Sequence, residues 1–142
     1  TYRKAIDDYM ESEEKYRANM EYYKREIAKC TYRQFTTGFY FGKTDSESQI
    51  YDNNTYVKNY TYIGTVREVT PDGCVCFEQK NKFLVGEKLE AMGFDGTNIE
   101  CEVQAIYDEE ENSMDSAPHP KQKLRVKLDK ELETGIILRR KE

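Results

Sequence analysis

The residues able to do chemistry are few and widely spaced. Cys30, Cys74, Cys76 and Cys101 are the four thiols, and His119 is the single imidazole. Cys74 and Cys76 flank one Val, so in an extended run both project from the same face. Zinc pairs usually hold about two to four residues between the cysteines, so a site from Cys74, Cys76 and His119 would be atypical. The simpler reading is small buried thiols in a reducing compartment. His119 is clamped between Pro118 and Pro120, and no Ser-His-Asp set or Cys–His pair with a third partner is evident. Gly38 and Gly42 are not followed by a helix signal, which argues against a phosphate loop. The run Asp108-Glu109-Glu110-Glu111 lacks the spacing and turn glycine of a calcium loop. No catalytic residue and no metal ligand is assigned.

What remains is binding chemistry. Phe35-Thr36-Thr37-Gly38-Phe39-Tyr40-Phe41-Gly42-Lys43 gathers four aromatics around two glycines ahead of a lysine. Such a platform can stack bases while Arg33 and Lys43 neutralise phosphate. The structural alternative is a strand whose rings plug the core or its junction with the helices. A second basic group, Arg139-Arg140-Lys141, lies near the end of the chain. The candidate substrate- or RNA-binding residues are therefore Arg33, Phe39, Phe41, Lys43, Arg139, Arg140 and Lys141. Closure of the fold would place them on one face, opposite the acidic stretch 108–115.

The elements that must position these residues fall into two kinds. Residues 2–29 carry helical spacing: Tyr2, Ala5, Ile6, Tyr9 and Met10 form one stripe, and Tyr16, Met20, Tyr23 and Ile27 a second. Glu11-Ser12-Glu13-Glu14 interrupts them, and Asn19 is the expected N-cap of the second helix. Two short helices cannot bury both stripes alone, so these side chains should pack less fully than the rest. From residue 31 the pattern turns to β. Residues 61–69 alternate, Pro71-Asp72-Gly73 supplies a turn, and Cys74–Glu78 returns. Lys88–Met92, Asn98–Tyr107, Leu124–Leu128 and Gly135–Leu138 read as further strands. In the longest, Ile99, Cys101, Val103, Ala105 and Tyr107 share a face. The fold class expected is mainly β: a small closed or nearly closed β-barrel, preceded by two short N-terminal α-helices. The domains expected are a helical segment at 1–30 and a barrel at 31–142.

Composition narrows the function classes. The 142 residues carry a formal charge of −5, with 37% apolar and 13% aromatic residues. No apolar run approaches the ~20 residues of a spanning helix. So many aromatics, with charges nearly balanced, argue against disorder. Charge is uneven: residues 68–120 hold 3 basic and 13 acidic side chains, whereas 121–142 hold 8 and 4. A polyanion would meet the basic end and avoid the acidic middle. The chain opens at Thr1 in residues that already read as helix, as a piece of a longer or processed protein would.

Several ordered blocks between residues 33 and 141 resemble the C-terminal region of the collagenase-like U-thirty-two (U32) peptidases, a family of unassigned catalytic type. The blocks are Arg33 with Phe35–Gly42, Gln49–Asp52, Tyr56-Val57, Tyr60–Gly64, Glu78–Phe83 with Val85-Gly86, and Asp115–Pro120. The helices resemble the end of the family's catalytic region. The resemblance implies a non-catalytic, C-terminal accessory barrel, similar to those of translation factors, beside a larger catalytic domain outside these residues. That domain, with RNA or a protein substrate, is the partner expected; a membrane is not. Some relatives are collagen-degrading proteases, and others are implicated in RNA base hydroxylation with a cysteine-held iron–sulfur cluster. The four cysteines here do not match that ligand pattern, so no cofactor is expected on this chain. The resemblance implies a bacterial, cytoplasmic enzyme. Its accessory domain would dock substrate or RNA; the alternative is a structural buttress for a tRNA uridine hydroxylase.

Overall fold

The computed structural model describes residues 1–33, 35–46 and 56–142. The chain divides into two compact units, Thr1–Asn59 and Tyr60–Glu142. The expected domain boundary follows residue 30, whereas this division into compact units falls at 59/60. The block Gln49–Asp52 lies outside the described residues. Among the described residues no helix is long and apolar enough to cross a membrane.

The first unit holds three short helices rather than the two expected: α1 (Tyr2–Glu11), α2 (Glu13–Ala18) and α3 (Met20–Ile27). The added helix is α2, and Ser12, within the expected interruption, starts it. The Ser12 backbone is extended, its N–H closes α1 on the Asp8 carbonyl, and its hydroxyl accepts the Lys15 N–H at 3.0 Å. One serine therefore ends one helix and caps the next. Asn19, at the N-cap position of α3, spends its side chain elsewhere: its amide donates to Asp8 Oδ2 at 3.0 Å. The Asp8 carboxylate is buried and also accepts the Tyr23 hydroxyl at 2.5 Å and Lys4 Nζ. Tyr9, Tyr16 and Tyr23 form a row, the first contact edge-on at 5.6 Å and the second stacked at 5.7 Å. Tyr23 is buried, against expectation, whereas Tyr2, Ile6, Tyr9 and Met10 remain exposed.

The second unit is β throughout. Its strands are β1 (Tyr60–Thr65), β2 (Glu68–Val69), β3 (Val75–Glu78), β4 (Phe83–Leu84) and β5 (Lys88–Met92), followed by β6 (Asn98–Tyr107), β7 (Ser113–Met114), β8 (Ser116–Ala117), β9 (Lys123–Leu128) and β10 (Ile137–Lys141). The main sheet runs β1-β10-β5-β6-β9-β3-β2, with β7 on β6; β4 and β8 pair apart. All ladders are antiparallel.

The sheet is not closed into the barrel expected, because its end strands β1 and β2 do not pair with each other. They are one segment bent at Val66-Arg67. Val66 exchanges hydrogen bonds with Gly135 and Ile136 on the β10 side, and the Arg67 N–H turns to the Cys76 carbonyl at 2.8 Å.

The core is the inward set of these strands, including Ile63, Val75, Phe77, Leu89, Val103, Leu124, Val126 and Leu138. The period-two burial of Lys123–Leu128 is as its sequence implies. In β6 the register shifts between Val103 and Ala105, so Ile106 turns inward instead of Tyr107. Gly64 is required by packing: a Cβ there would stand 2.5 Å from Phe77 Cδ2.

Candidate functional site

The aromatic segment of the first unit is a turn rather than a core strand. Tyr40 N–H bonds the Thr37 carbonyl and Gly42 N–H the Phe39 carbonyl, at 3.1 and 3.2 Å. Gly38 and Gly42 adopt φ of +51° and +133°, conformations that side-chain-bearing residues rarely take. The turn leaves Phe39, Tyr40 and Phe41 77–85% exposed, so these rings do not plug a core. Lys43 is exposed beside them. Arg33, also exposed, stacks 4.9 Å over the Tyr56 ring and donates to its hydroxyl at 3.1 Å. Exposed rings flanked by cations can stack bases and neutralise phosphate.

The basic triplet of the second unit belongs to strand β10, not to a loose tail. Register places Lys141 opposite Tyr60, Arg140 opposite Thr61 and Arg139 opposite Tyr62. Lys141 is exposed. Arg139 stands 5.1 Å over the Tyr60 ring and bonds Glu90. Arg140 donates to the Lys82 carbonyl at 3.0 Å and contacts Glu87 at 3.2 Å. Two of the three cations therefore already answer to carboxylates of their own unit. Four of the seven candidate residues sit in the first unit and three in the second.

An open pocket of about 360 Å³ lies in the second unit, lined from β1, β2, β3, β9 and the connections beside them. Phe77 and Leu124 supply apolar lining, and Tyr62, Arg67, Lys80 and Lys123 bring an aromatic ring and three cations. The Glu78 carboxyl is held below its ordinary value first by the hydrogen bond from Lys80, with the charges of Lys121 and Arg67 assisting. Lys123 makes a 3.4 Å contact to Glu109 across an exposed surface, a pair of little strength. Sequence reasoning missed this group because its members come from three separated segments. The one local hint is Tyr62 inside the Tyr60–Gly64 block.

The cysteines do not form a centre. Burial pushes the Cys101 thiol up to about 12, aided by the Asp129 and Glu100 charges. Cys74 is buried and donates to Asp72 Oδ2 at 3.3 Å; burial and that bond raise its pKa. Cys30 is exposed in the other unit. An iron–sulfur cluster needs converging thiolates. Among the described residues no group of three or more His, Cys, Asp or Glu could hold a metal ion, so these residues do not fit one.

Comparison with known proteins follows the division into units. Residues 58–139 match the family model described as the peptidase family U32 C-terminal domain, and residues 1–50 match that of peptidase family U32. The chain is 31% identical over 140 residues to "tRNA hydroxylation protein P1" of Bacillus subtilis (strain 168). The match takes in 98% of this chain and 33% of that relative, so the chain spans about a third of the relative's length. Two crystal structures of the C-terminal domain of a Geobacillus thermoleovorans protein described as a U32 peptidase are similar. One, a selenomethionine variant, is 28% identical with a TM-score of 0.51, covering 56% of this chain and 99% of that one. The other is 30% identical with a TM-score of 0.50, covering 57% and 91%.

Proposed function

The chain belongs to peptidase family U32, with that family's C-terminal domain over residues 58–139, and from this premise we propose that it docks tRNA for an enzyme that hydroxylates it. The observation carrying this reading is the 31% identity to a tRNA hydroxylation protein across 98% of the chain, through both units. On this reading the chain is non-catalytic, and the chemistry, with any iron–sulfur cluster, belongs to a larger enzyme of which it forms the C-terminal part. The exposed turn Phe39–Phe41 with Arg33 and Lys43, and Lys141 on β10, are the surfaces offered to RNA.

The test is equilibrium binding of the chain to labelled tRNA and, in parallel, to gelatin. Binding of tRNA without binding of gelatin is expected. The reverse preference would favour the collagenase-like reading and overturn this one.

A second reading, a purely structural buttress, is supported by Arg139 and Arg140. Both are engaged by Glu90 and Glu87 within the same unit, as groups that hold strands together would be. It predicts no RNA binding by the chain and a loss of fold when these pairs are cut.

A further inference from the structure

From the pocket between β1, β3 and β9 we infer a binding site for one unstacked nucleotide, a single base with its 5′-phosphate. The inference rests on the tRNA-docking reading and goes beyond it by naming a site outside the seven residues proposed from sequence. Three observations carry it.

The first is size. About 360 Å³ lies near the lower end of the ~300–1,000 Å³ of small-ligand sites. It suits one nucleotide.

The second is the division of its lining. Phe77 and Leu124 are apolar, and the Tyr62 ring, 42% exposed, offers a flat surface held in place because its hydroxyl bonds Thr65 at 2.9 Å. A base splayed from a single strand is held by this kind of ring.

The third is charge. Arg67 and Lys123 are exposed cations at the lining, and Lys80 is committed to Glu78. Glu68 is the other acid of the lining, so the site sets three cations against two carboxylates, whereas the segment 68–120 carries ten more acidic than basic residues, and an anion is drawn to the Arg67 side of the pocket. Arg67 is placed by the bend between β1 and β2, whose backbone bond to Cys76 fixes the site's floor strand beside it. Arg67 takes the phosphate in a forked hydrogen bond that a lysine cannot reproduce.

The experiment uses the full 142-residue chain and a 5′-phosphorylated uridine trinucleotide as probe, read by heteronuclear NMR shifts and fluorescence titration. Shifts centred on Tyr62, Arg67 and Lys123 are expected. Arg67→Ala should weaken trinucleotide binding about tenfold, Arg67→Lys should recover part of it, and Tyr62→Ala should weaken it more than Tyr62→Phe, which keeps the ring and loses only the hydroxyl bond that holds it. Thermal unfolding of each variant separates lost contacts from lost fold; Arg67 is exposed, so Arg67→Ala should unfold as wild type does. Absence of trinucleotide binding, shifts elsewhere, or equal competition by hexaglutamate would overturn the site. If tRNA binds with wild-type affinity to both Arg67→Ala and Tyr62→Ala, the pocket fails and docking stands. If trinucleotide binds here but tRNA does not bind the chain, docking fails and the pocket stands.

Discussion

Arg139 and Glu90 are direct register partners across the β10–β5 ladder, with Nη2 2.5 Å from Oε1. The same guanidinium stands over the Tyr60 ring of β1, so one side chain ties three adjacent strands. Its side chain is 11% exposed and that of Glu90 is 22% exposed, so water screens the pair little.

Arg139→Ala should therefore lower stability by about 1–3 kcal/mol, read as a drop in the denaturant midpoint. Arg139→Lys should restore less than half, because an ammonium cannot hold the carboxylate and cover the ring together. Full recovery by lysine would show that charge alone matters there.

Asp8 sets the acid behaviour of the helical unit. The Tyr23 hydroxyl is the main cause lowering its carboxyl to about 2 from 3.8, with Asn19 and Lys4 adding and burial opposing. A folded pKa below the unfolded one gives stability that is present above about pH 4 and is lost as pH falls toward about 2. Carboxyl NMR should find the Asp8 midpoint near 2 in wild type. Tyr23→Phe should move it upward; an unchanged midpoint would remove the hydroxyl from the account.

Gly64 and Phe77 form a matched pair. Gly64→Ala would push a Cβ to 2.5 Å from the Phe77 ring and 3.1 Å from the Glu78 carbonyl oxygen, and should cost about 1–3 kcal/mol. In a Phe77→Val background the extra cost should shrink, since valine has no δ carbon to meet that Cβ. Additive effects in denaturation would contradict the clash.

Particular residues show what local pattern could and could not reveal. The alternation Leu124, Val126, Leu128 is legible because burial alternates along the whole of β9, the bulge lying on its partner strand β6. The inward turn of Ile106 is not, because a bulge depends on the partner strand. Ser12 reads locally as an interruption, yet its hydroxyl starts a helix. The strand character of Arg139–Lys141 comes from pairing with Tyr60–Tyr62, far away in sequence. The aromatic segment was visible from composition, but its exposure follows from glycine turns that composition does not specify. The pocket cations at 67, 80 and 123 gave no spacing signal, since only the fold gathers them.

Salt dependence of tRNA binding tests the central claim most directly. Phosphate contacts release counterions, so binding by wild type should weaken steeply between low and moderate salt. Arg33→Ala, Lys43→Ala and Lys141→Ala, all at exposed positions, should each weaken binding and lower the log–log slope by about one, with thermal unfolding unchanged. No salt-sensitive binding even at low salt, or a slope indifferent to all three changes, would contradict the docking account and leave the buttress in its place.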